Sequence, residues 1–218
     1  MKKLIFVFGI LITVTAFGQT AKFKLTDTTG RWNTGNDYLD SLKQEFIQEE
    51  IVKQLNAIRV ADEMKPLVLD TGLRPAAIHN ATYNAWCFKN KIYQPTDPKC
   101  IMTHEQYVDM PNFDEIPEPF QRIKLLDRSR FQSMTEELTE VAISNIQGTD
   151  TYQKRVTHVL NNYKACYDGH WKSMTKNTKW DAIYVYFDIN YSDNYDSQNA
   201  IVYVILGSYA DGSWESDF

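Results

Sequence analysis

Apolar residues along this chain follow two periods, helical over the first two thirds and alternating near the end. Leu42, Phe46, Ile51, Leu55 and Ile58 recur at mostly helical spacing with charged residues between them. This predicts a helix from about Asp40 or Ser41 that ends at Lys65-Pro66, because a proline disfavours helical geometry in the residue before it. Asp70 then reads as an N-cap, with Leu69 and Leu73 flanking it close to a staple arrangement. Leu73, Ala76, Ala77, Asn80, Tyr83, Asn84 and Cys87 form one stripe of a second helix, and its alanines predict close approach to a neighbouring element. Residues 107–119 carry Pro111, Pro117 and Pro119 among several acids and read as a surface loop. A short third helix is expected from Phe120 to about Phe131, and Leu138 to Ala142 reads as a short strand. Val156, Val159, Leu160, Tyr163 and Cys166 mark the apolar face of a fourth helix, with His158 and Asn161 off it.

The period then changes. Ile183, Val185, Phe187 and Ile189 alternate with Tyr184, Tyr186, Asp188 and Asn190, which is the pattern of a strand. After a polar turn over 192–199, residues 200–206 are apolar on both faces, as in a strand covered on both sides at the centre of a sheet. Helices first and a hairpin last predict an α+β fold: a three-layer α-β-α sandwich, a small antiparallel sheet flanked by helices.

Lys2 and Lys3 followed by the apolar run Leu4–Val14, with Ala16-Phe17-Gly18 behind it, have the form of a cleavable signal peptide over 1–18. The run is short for a membrane span. Residues 19–39 read as a polar arm, 40–208 as one domain and 209–218 as a tail, and the expected location is secreted or periplasmic. The formal charge is -5, and loss of Lys2 and Lys3 makes it -7, 21 basic residues against 28 acidic. An acidic mature chain argues against nucleic acid or an anionic membrane surface as partner. Among three cysteines, Cys87 and Cys100 bracket the loop Lys91–Pro98. Export makes a bond between them possible, and closing a loop of that length stabilises by roughly 3 kcal/mol in the chain-entropy model. Cys166 falls on a predicted apolar helix face and reads as a buried thiol.

His104, Glu140 and His170 stand out chemically. Two imidazoles and a carboxylate brought together can bind a zinc-like cation or shuttle protons. The alternative for the same residues is a hydrogen-bonded trio without metal, and spacing alone favours that alternative. His79 reads as packing at the edge of the alanine-rich stripe, and Glu105 and Glu137 as acids that merely neighbour the cluster. No Gly-x-Ser-x-Gly elbow is present, and Cys166 lacks an activating context.

Several phrases resemble the CAP superfamily, the SCP-like domain of cysteine-rich secretory proteins, antigen 5 and pathogenesis-related proteins. Leu55-Asn56-Ala57-Ile58-Arg59, Lys65-Pro66-Leu67 and Ala76-Ala77 look like its opening helix, turn and alanine-rich helix. Thr103-His104 resembles its first site histidine, Thr139-Glu140-Val141-Ala142 its Gly-Glu-Asn-Ile-Ala phrase, and Asp168-Gly169-His170-Trp171 its second histidine. Thr139 and Val141 depart from the family's Gly and Asn, and a second site acid has no counterpart except Glu137 by proximity. The resemblance implies that His104, His170 and Glu140 share one cleft, with Glu140 as acid/base group or as ligand, alongside both histidines, to zinc or another divalent cation. It further implies a binding module for a small apolar ligand, or for an envelope or extracellular protein or glycan. A His/Glu-assisted hydrolase of peptide or cell-wall material, and a scaffold with a vestigial cleft, are the alternatives.

Overall fold

The computed structural model describes residues 37–94, 103–142, 152–188 and 199–210. The expected signal peptide, most of the polar arm, Cys100 and all but the first two residues of the tail lie outside the described residues. Four helices, α1 (Asp37–Ala61), α2 (Arg74–Lys89), α3 (Tyr152–Ala165) and α4 (Lys172–Lys176), surround strands β1 (Val68–Leu69), β2 (Phe131–Ala142), β3 (Ala182–Asp188) and β4 (Asn199–Tyr209). The sheet runs β1-β3-β4-β2. The fold is α+β, as the change of period predicts.

The apolar pattern assigns the layers. Ile183, Val185 and Phe187 of β3, with Val202, Val204 and Leu206 of β4, bury one face of the sheet against α1, α3 and α4. Ala182 and Tyr184, with Ile201, Tyr203 and Ile205, bury the other face against α2. β4 is therefore covered on both sides and sits inside the sheet, paired with β3 and β2. On α2, Ala76, Ala77 and Ala81 let the helix lie close to the sheet, and the whole stripe from Leu73 to Cys87 is buried.

The structure differs from the sequence reading at five places. The sheet is mixed, because β1 pairs parallel with β3 (Val68↔Ala182, Leu69↔Ile183), which the long intervening chain permits. The expected helix from Phe120 is a 3-10 segment, Pro119–Leu125, and the chain then turns at Asp127, whose carboxylate accepts from Ser129 N at 2.9 Å. That turn starts β2 at Phe131, seven residues before the expected strand. Cys166 is exposed, since α3 ends at Ala165 and its buried face stops at Tyr163. Cys87 is a free, buried thiol rather than half of a disulfide, and burial raises its pKa.

Two polar side chains of α1 fasten the loop after it. Asn56 pairs with both the N–H and the C=O of Leu67 at 2.8 Å. Arg59 is fully buried and donates to the carbonyls of Lys65 (2.8 Å), Met174 (2.9 Å) and Asn177 (3.2 Å), tying α1 to α4.

Candidate functional site

α2 places the first histidine. Asn84 exchanges two hydrogen bonds with the backbone of Thr103, donating to its carbonyl at 3.0 Å and accepting from its N–H at 2.8 Å. Asn80 donates to the same carbonyl at 3.0 Å. The next residue, His104, is held by its own carbonyl, which accepts from Arg122 Nη2. His79 and Gln106 fix the rest of this loop: His79 Nε2 lies 2.9 Å from the Asp114 carbonyl, and Gln106 Oε1 accepts from Ile116 N at 2.6 Å.

The second histidine sits just beyond α3, in a single π-helical turn, Tyr167–Trp171. Trp171 N donates to the Cys166 carbonyl at 3.2 Å, the wider spacing that defines this turn and a geometry often found at functional sites. Tyr163 packs edge-on against the His170 ring at 5.9 Å, and its hydroxyl donates to Val202 O at 2.9 Å. The ring is thus anchored to the sheet through a buried phenol.

His104 and His170 come together, with ring centroids 6.0 Å apart and 32° between planes. β2 supplies the acids between them. Glu136 shares the α2-facing side with Met134 and Leu138, and Glu137 points to the opposite face, as alternation requires. Glu137 Oε2 hydrogen-bonds His170 Nδ1. Glu136 Oε1 lies 3.8 Å from His104 Nδ1. The backbone of Glu140 pairs with Ile201 further along β2, and its side chain lies outside the described residues.

Behind His104 is a buried charged network. Arg122 Nη1 donates to Glu136 Oε2 at 2.5 Å, and Asn80 Nδ2 donates to Oε1 at the same distance. Both Arg122 and Glu136 side chains are fully enclosed. Burial pushes Glu136 up to about 7 against the opposing pull of Arg122. Burial also lowers His104 to about 4, so its imidazole is neutral at physiological pH. His104 Nδ1 is enclosed while 36% of the side chain stays exposed, so solvent reaches the rest of the ring.

Among the described residues, no group of three or more His, Cys, Asp or Glu is gathered as a metal site. His170 Nδ1 is already engaged and His104 Nδ1 is enclosed, so the donors available to a cation are the two Nε2 atoms, with water completing the shell. Glu137 behind His170 has the placement of a carboxylate that orients a ligating imidazole.

Sequence reasoning singled out both histidines and named Glu137 only as a neighbour. It missed Glu136 and Arg122. One signal was available: Asn80 and Asn84 stand inside an otherwise apolar stripe, and buried amides require partners. Comparison of the chain with family models, curated proteins and solved structures finds no match.

Proposed function

We propose that this chain is an exported CAP-type domain that works as a binding module through a centre made by His104, Glu137 and His170. One observation carries the reading. Segments from the loop after α2, from β2 and from the turn after α3 converge so that two imidazoles stand 6.0 Å apart with a carboxylate on one of them. Those segments include the two histidine phrases that resemble the family's site, and they meet across more than sixty residues of chain. The centre suits a hydrated divalent cation or a ligand group rich in N–H or O–H donors. Tyr107 and Val108, just past His104, and Phe120, two residues before Arg122, are exposed and offer apolar contact to a ligand or partner.

Zinc calorimetry tests the reading. The wild-type chain is expected to take up the ion and the His104→Ala/His170→Ala double variant to lose it. Absence of uptake by wild type removes the cation from the proposal.

The His170–Glu137 hydrogen bond favours a second reading, hydrolysis. A carboxylate on Nδ1 orients an imidazole and fixes its tautomer, as a general base acting on water requires. That reading predicts turnover of peptide or cell-wall substrates that vanishes in both His170→Ala and Glu137→Gln.

A further inference from the structure

Packing alone does not account for the Arg122–Glu136 pair behind His104. Taking the two ions out of water costs several kcal/mol each, roughly, and an apolar pair of similar volume is often at least as stable. Their contacts converge on one residue. Arg122 Nη2 donates to the His104 carbonyl and to Asn80 Oδ1 at 3.1 Å. Glu136 Oε1 accepts from Asn80 Nδ2 at 2.5 Å and also lies 3.8 Å from His104 Nδ1, which is enclosed and has no hydrogen-bond partner.

A neutral imidazole carries one N–H, and its surroundings decide which nitrogen holds it. An exposed histidine side chain favours the proton on Nε2. A carboxylate oxygen facing Nδ1 reverses that preference, because it attracts an N–H and repels a lone pair. At His170 this selection is made by direct hydrogen bonding, with Nδ1 donating to Glu137.

We propose that Glu136, held in place by Arg122 and Asn80, is a positioning residue that fixes His104 as the Nδ1–H tautomer. Both imidazoles then present an unprotonated Nε2 on their solvent-reachable side. The inference deepens the binding reading above and rests on it for the ligand class. Two lone pairs accept and do not donate, so the centre takes a cation or a group bearing N–H or O–H donors. Carboxylate and phosphate groups meet two acceptors and are turned away.

Long-range proton–nitrogen correlation NMR on the labelled chain, at mildly alkaline pH, reads the tautomer of each histidine directly. His104 and His170 are both expected with protonated Nδ1 and bare Nε2. Glu136→Gln removes the negative charge that attracts an N–H from His104 Nδ1. His104 alone should then change to the Nε2–H form. The double variant Arg122→Met/Glu136→Leu removes both charges together and guards against a folding defect. With its amide spectrum otherwise folded, it too should carry His104 as Nε2–H. A wild-type His104 protonated on Nε2 overturns the proposal, as does an Nδ1–H signal that persists in either variant. The readout needs no metal. Absent zinc uptake with the expected tautomer therefore counts against the binding reading alone.

Discussion

Glu136 and Glu137 are adjacent in the chain, yet their carboxylates leave β2 on opposite faces and each addresses a different imidazole. Two consecutive residues of one strand thereby serve both histidines. A shift of β2 by one residue against β4, where Glu136 faces Ile205 and Glu137 faces Val204, would exchange the two environments and dismantle the site.

Breaking the pair on the α2-facing side should be costly. Arg122→Met strands Glu136 without its partner, and the expected loss is about 3–5 kcal/mol. Arg122→Met/Glu136→Leu should recover most of it, since no uncompensated charge remains. Urea denaturation of the three proteins checks this, and equal losses in the single and double variants would contradict it.

Histidine 104 should make stability depend on pH in a defined direction. Its pKa falls from the ordinary 6.5 to about 4 on folding, so the unfolded chain binds more protons between those values. Stability from this group is complete above pH 6.5 and is lost as pH falls toward 4. Glu136, raised from 4.5 to about 7, acts oppositely, because the folded chain takes up that proton first on acidification. His104→Gln deletes only the first contribution. Stability of the variant relative to wild type should therefore improve steadily through that window, as followed by denaturant midpoints at several pH values.

Gly207 lies where β4 meets α2 and the start of β2. A Cβ there would stand 2.8 Å from Leu73 Cδ2 and 3.2 Å from Phe131 Cδ1, both on fully buried side chains. Gly207→Ala should destabilise by roughly 1–3 kcal/mol through overpacking. Gly207→Ala combined with Leu73→Val should lose less than the separate effects summed, which a double-mutant cycle measures.

Arg59 should be irreplaceable by an apolar residue. Arg59→Met leaves the carbonyls of Lys65, Met174 and Asn177 without this donor, for an expected loss of roughly 3 kcal/mol. Lysine should restore only part, since a single ammonium does not reproduce the guanidinium fork. Thermal unfolding of both variants gives the comparison.

Thiol labelling of the native chain, mapped by mass spectrometry, should modify Cys166 rapidly and Cys87 only after denaturation. Prompt labelling of Cys87 would place that side chain at the surface.

The layers were legible because their residues repeat. The α2 stripe, the α3 stripe to Tyr163, the alternation of β3 and the doubly apolar β4 each bury the side chains their period predicts. β2 was largely hidden for the opposite reason. Thr135, Glu136, Glu137 and Thr139 break any apolar alternation, and Glu136 is tolerated inside because Asn80 donates to it and Arg122 meets its charge there. That partner comes from a 3-10 segment fourteen residues away and carries no local signal. Cys166 was misplaced because helical spacing does not announce where a helix stops. The two histidines were visible as chemistry, but the acids that serve them depended on strand register.

At its other border the sheet ends in β1, only two residues long. So brief a strand is a poor template for a foreign chain, which leaves β2 as the long edge against which misassembly by strand addition would occur. Along β2, Gln132 is exposed and Ser133, Thr135 and Thr139 are half-buried, so the accessible side chains of that edge are polar. A border lined by hydroxyls and an amide offers an incoming strand little apolar surface to bury, which weighs against polymerisation edge to edge.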